Sequence, residues 1–353
     1  MVQTILGKKD FIESLRGKSC TFLLSLSNTK TANIKGISQA GIPGMLYLTP
    51  TLDAEFLATG EVRSLKDIAS TPKGVPTPAL ISRAIHLLKP FRNIEFLNLG
   101  LEKSLDIDYF KIHNFDIKPS GSIEDGANID AIDIFEKGVQ FGQQYKPDSD
   151  YVILGESVPG GTTTALATAL ALGYDCNDKF SSSFKDVPNS IKNSVVSKAL
   201  QLSLKENELF AKLSVVADNM LLFNAGFILG SIEKDYRLIL AGGTQMAGVL
   251  LVVNSILKTM QGDIDSSKLA LCTTKWVYDD PNSDLKGLLE LLDFDINAYY
   301  SEFDFGLSNH MALKLYDKGE AKEGVGAGGA LVYGSLNGLD KQSITTCVEN
   351  FLV

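Results

Sequence analysis

Short apolar runs ending in glycine or another turn residue alternate, from Cys20 to Thr274, with longer stretches of helical spacing. Cys20–Leu26, Asn93–Leu99, Tyr151–Leu154, Arg237–Ala241 and Lys268–Thr274 read as buried strands. Between them, Thr77 and Pro78 open a helix over 79–88, and helical spacing recurs from Ser122 through Ile129 to Val139. Helices are also expected at about 163–172, 190–202, 209–230 and 244–260. Strands that alternate with helices need crossover connections. The expected fold is therefore α/β and Rossmann-like, a mostly parallel sheet with helices on both faces, plus a small domain from the chain ends. The expected organisation is an N-terminal α/β part over 1–120, a nucleotide-binding core over 121–335 and a C-terminal helix over 336–353 that packs on the N-terminal part. Ligands of such sheets sit beyond the carboxyl ends of the strands, which makes the loops after Leu154, Leu240 and Cys272 the expected site walls.

Composition narrows the chemistry. A net charge of -9 over 353 residues argues against a nucleic-acid or anionic-membrane partner. No apolar stretch approaches the roughly 20 residues of a membrane span, and Met1–Asp10 lacks the apolar core of a secretory signal. Cys20, Cys176, Cys272 and Cys347 are scattered, which fits a reduced, cytoplasmic setting. With only His86, His113 and His310 and no cluster among them, neither a metal nor another cofactor is expected.

Two glycine loops carry the chemistry. Gly155-Glu156-Ser157-Val158-Pro159-Gly160-Gly161-Thr162-Thr163-Thr164 joins a strand to a helix, where backbone N–H groups and hydroxyls suit a phosphate. It has the glycine spacing of a nucleotide-kinase loop, but Gly161 stands where that loop needs lysine. The second, Glu323-Gly324-Val325-Gly326-Ala327-Gly328-Gly329, contains a formal dinucleotide fingerprint. Only 24 residues follow it, too few for the remaining unit. What both loops share is an acid beside close-approach backbone.

Together these loops resemble the nicotinate-nucleotide:dimethylbenzimidazole phosphoribosyltransferase family of cobamide (vitamin B12) synthesis, in its divergent branch typified by archaeal sequences. The stretch from Gly155 to Thr163 is similar to that family's Gly-Glu-Met-Gly-Ile-Gly-Asn-Thr-Thr loop, and Glu323 to Ala327 to its Glu-Gly-Ser-Gly-Ala loop. The resemblance spans about Ser122 to Gly334. It implies phosphoribosyl transfer from nicotinate mononucleotide to a benzimidazole-type base by a homodimer, with Glu323 as general base and Glu156 as a neighbouring acid. It further implies that Gly160, Gly161, Thr162 and Thr163 with Lys212 hold the phosphate, and that Gly242, Gly243, Thr244, Gly324 and Gly326 approach the nucleotide. Two positions depart from better-known members: Ala241 replaces an acid, and Thr273-Thr274-Lys275-Trp276 replaces a Ser-His segment. A nucleotide-dependent kinase and a non-catalytic nucleotide-binding protein are the alternatives, set apart by ATP dependence and by absence of turnover.

Overall fold

The computed structural model describes residues 1–66, 68, 70–186 and 188–352. Eight strands form one sheet: β1 (Val2–Leu6), β2 (Cys20–Leu26), β3 (Asn93–Asn98), β4 (Lys111–Asn114), β5 (Tyr151–Ser157), β6 (Arg237–Ala241), β7 (Leu269–Thr274) and β8 (Asn297–Ser301). Their order is β1-β8-β7-β6-β5-β2-β3-β4, all parallel except β1, which runs antiparallel to β8. The chain winds from β2 outward through β3 and β4, then from β5 outward through β6, β7 and β8. Strand order therefore reverses between β2 and β5, and the crevice at their carboxyl ends is where such sheets bind ligands.

Alternation along the strands divides the interior in two. Leu23, Val152, Leu154, Leu238, Leu240 and Leu271 face one core, while Phe22, Leu24, Ile153, Ile239, Ala241 and Cys272 face the other. Because every residue of β2, β5 and β7 is buried, these strands read as continuous apolar runs.

The first face is covered by α4 (Ala131–Gln144), α5 (Gly161–Ala171), α6 (Asn189–Ser203), α7 (Leu209–Val216), α8 (Asn219–Ser231), α9 (Thr244–Met260) and α11 (Leu285–Leu289). The second carries α1 (Lys9–Glu13), α2 (Thr49–Thr59), α3 (Ala79–Leu88), α12 (Met311–Lys314), α13 (Ala327–Leu336) and α14 (Lys341–Glu349), with α10 (Lys275–Tyr278) at the end of β7. The two chain ends meet on this second face, where α14 packs against α3. No described helix is long and apolar enough to cross a membrane.

Two helical expectations are corrected. Helical backbone starts only at Ala131, where the Asp130 side chain caps α4 by accepting from Asp133 N at 3.1 Å. The apolar run over 209–230 is two helices, because Asp218 breaks it and caps α8, accepting from Leu221 N at 3.0 Å. Asp218 also accepts from the Thr164 hydroxyl of α5, so this break is tied to the glycine loop after β5.

Candidate active site

The two glycine loops meet at the strand-order reversal. A Cβ on Gly155 would lie 3.0 Å from Gly326 Cα, so neither loop tolerates a side chain at that crossing. Val325 N donates to the Glu156 carbonyl at 2.8 Å, and the Ser82 hydroxyl donates to the Val325 carbonyl at 2.7 Å. These bonds hold Val325 at φ +52°, a left-handed conformation costly for a β-branched residue, on the order of 1–3 kcal/mol.

Glu323 and Glu156 face a common space. Glu323 Oε2 accepts from Thr274 N at 3.0 Å and from the Thr273 hydroxyl at 3.3 Å, while Oε1 accepts from Gly328 N at 3.0 Å and Gly324 N at 3.2 Å. Burial still pushes its pKa up to about 7, and those hydrogen bonds oppose the shift. Glu156 is 3% exposed and accepts from Val158 N at 3.1 Å. Burial, then the charges of Glu323 and Asp218, push its pKa up to about 8. Near neutrality Glu156 holds a proton and Glu323 can give or take one. Gln245 Nε2 lies 3.5 Å from Glu156 Oε1, and Gln245 Oε1 is buried without a partner among the described residues. Turning that amide over lets the Glu156 proton donate to the oxygen.

The space has two lobes joined at these acids. The first, about 590 Å³ of empty volume, is walled by segment 39–41, by Ser70, Thr71, Thr77 and Pro78, by Asp53 and by Gly324 and Val325. Asp53 lies on α2, accepting from Ser157 Oγ and Thr77 Oγ1, both at 2.6 Å; burial pushes its pKa up to about 6. The second lobe, about 520 Å³, is walled by Gly160 to Thr162, Ser181 to Ser183, Gly243, Thr244 and Lys322. The N-termini of α5 and α9 open onto it, and each helix end favours negative charge there.

Of the sequence candidates, Glu156 and Glu323 stand at the junction, Gly160, Gly161, Thr162, Gly243 and Thr244 line the second lobe, and Gly324 lines the first. Gly242 and Gly326 pack beside Glu156 and Gly155 behind the lining, and Thr163 is buried within α5. Lys212 lines neither lobe. Its helix α7 packs against α4, α5 and α6, on the layer covering the sheet. Asp53, Gln245, Ser181 to Ser183 and Lys322 were not legible as site residues. One signal existed, a lysine directly preceding Glu323.

Glu156→Gln should stabilise the fold. Its folded pKa lies above the ordinary 4.5, so unfolding releases a proton between about pH 4.5 and 8 and stability falls as pH rises through that window. At pH 8 the glutamine variant should gain on the order of 2 kcal/mol, fading to nothing near pH 4. Denaturant melts at both pH values check this; an equal gain at each would refute the linkage.

A UPF0284 protein of Sulfurisphaera tokodaii is 35% identical over 347 residues, covering 97% of this chain and 95% of the relative. A UPF0284 protein of Methanocaldococcus jannaschii is 34% identical over 351 residues, covering 98% and 96%. Among solved structures, the nicotinate-nucleotide-dimethylbenzimidazole phosphoribosyltransferase of Thermus thermophilus superposes with a TM-score of 0.60 at 15% identity, over 98% of this chain and 92% of that one. That likeness is one of fold. No protein-family model matches the chain.

Proposed function

Since the chain belongs to the UPF0284 family and shares its fold with the Thermus phosphoribosyltransferase, we propose that it transfers the phosphoribosyl group of nicotinate mononucleotide to a benzimidazole-type base. The products are nicotinate and alpha-ribazole phosphate, for cobamide synthesis, and the working unit is a homodimer. One observation carries this reading: two buried carboxyl groups, both with raised pKa, stand where two lobes meet, beside the carboxyl ends of β5 and β7.

The second lobe takes the mononucleotide, its phosphate at the N-termini of α5 and α9. The base enters the first lobe. Its free ring nitrogen attacks ribose C1′ as the bond from C1′ to the nicotinate nitrogen breaks, and that bond's electron pair returns to the nicotinate ring. The base's other ring nitrogen then gives its proton to Glu323, whose raised pKa suits a base working near neutrality. Glu156, kept protonated, adds no second negative charge beside Glu323 and fixes Gln245. The two lobes hold both reactants together, which lowers the entropic part of the barrier.

Pure protein incubated with nicotinate mononucleotide and dimethylbenzimidazole should release nicotinate and a ribazole phosphate in equal amounts, read by chromatography. Mononucleotide binding without release, across benzimidazole-type bases, would leave a nucleotide-binding protein instead. Light scattering with gel filtration reads the dimer.

A further inference from the structure

Between β5 and β6, the segment from Phe180 to Lys185 has no helix or strand of its own, yet each of its six carbonyls is held by a side chain. Lys192 Nζ donates to the carbonyls of Phe180 at 3.3 Å and Ser181 at 3.0 Å. Lys322 Nζ donates to those of Ser182 at 3.3 Å and Phe184 at 2.9 Å. Gln39 takes Ser183 at 2.6 Å and Asn282 takes Lys185 at 3.1 Å. In a trans peptide the N–H points opposite to the preceding carbonyl. With the Ser181 and Ser182 carbonyls turned to the two ammonium groups, the N–H groups of Ser182 and Ser183 turn the other way. Among the described residues neither N–H has an acceptor, and both serines line the second lobe.

The charges point the same way. Lys192 is 3% and Lys322 4% exposed, and the carboxylate of Asp280 lies 2.7 Å from Lys322 Nζ and from Ser181 Oγ. Among the described residues Lys192 has no carboxylate within ion-pair distance, so carbonyl oxygens alone meet its charge. Burial, and then the Lys322 charge, push the Lys192 pKa down to about 8, as expected of a cation short of a counter-charge.

We propose that Lys192 and Lys322 are positioning residues for the phosphate, aiming the Ser182 and Ser183 N–H groups into the second lobe while supplying the charge that a phosphate monoester completes. The inference rests on the phosphoribosyl-transfer reading and replaces Lys212 as the source of the site's positive charge. Neither lysine touches the phosphate: the segment they hold does.

Calorimetry with nicotinate mononucleotide and with its phosphate-free riboside separates this role from scaffolding. In Lys322→Met and Lys192→Met, mononucleotide affinity should fall 10- to 100-fold and riboside affinity less than twofold, with Lys192→Arg restoring most of the loss. Equal losses for both ligands, or none, would overturn the proposal. A second measurement uses the unaltered protein: amide hydrogen exchange at Ser182 and Ser183 should slow with mononucleotide or ribose 5-phosphate and not with riboside. If neither phosphate compound protects those amides, the assignment fails even where nicotinate is released. If both do and nicotinate is never released, the transfer reaction fails and the assignment stands.

Discussion

Glu323→Gln should cut turnover roughly 10²- to 10⁴-fold, the span of a lost general base, with mononucleotide affinity almost unchanged. The glutamine keeps the shape, but its one oxygen can accept from Thr274 N or from Gly328 N and not from both, and it cannot take the proton shed by the acceptor base. In the unaltered enzyme kcat/KM should decline below about pH 7, where Glu323 becomes protonated, and again above about pH 8, where Glu156 loses its proton and sets a second charge beside it. The lower limb should vanish in the variant. A Glu323→Gln enzyme retaining more than about a tenth of turnover, with chemistry rate-limiting, would contradict the assignment.

Gly328→Ala should destabilise the fold by about 3 kcal/mol and remove most activity with it. A Cβ there would drive into the Thr273 backbone and lie 2.7 Å from Glu323 Oε2, so α13 must back away from β7 and loosen the Gly328 N bond to Glu323. Gly334→Ala, on the same helix, is the contrast. Its Cβ would meet Ile85 Cδ1 at 2.7 Å, the end of a side chain that can turn aside, and its cost should be well under half as large. Denaturant unfolding of the pair decides the matter: equal stabilities would remove the argument that α13 is fitted against the Thr273 backbone.

The sequence exposed what local chemistry dictates. β2, β3, β5, β6 and β7 lie in the sheet interior and show as apolar runs ended by turn residues, and Glu156 and Glu323 show as acids beside glycine. β1, β4 and β8 escaped notice because they are short and lie at or near the sheet edges, where polar and apolar residues mix. The break at Asp218 was masked by apolar sequence on both sides, although an aspartate ahead of a second apolar run is itself a cap signal. Asp53, Lys192 and Lys322 were illegible for another reason. Their meaning lies in partners far along the chain: Asp53 with Ser157 104 residues away, and Lys322 with Asp280 42 away. Lys212 entered through the family resemblance, and a lysine engaged by backbone carbonyls carries no mark in the sequence.

The two-lobed cleft draws its walls from separate stretches of chain, 39–78 chiefly on one side and 160–183 with 243–245 on the other, sharing among the described residues only Ala40, Glu156, Val158, Ser183, Gln245 and Glu323. Substitutions in opposite lobes that lie more than about 7–10 Å apart and share no partner should have free-energy effects that sum to within about 0.5 kcal/mol, whereas those at the six shared positions, or at chain neighbours such as Pro159 with Gly160 and Ala321 with Lys322, should not. A lineage could therefore reshape the first lobe by drift in the N-terminal third, one change at a time, without revisiting the walls of the second, Gln39 excepted because it holds the Ser183 carbonyl. Epistasis would be confined to the seam.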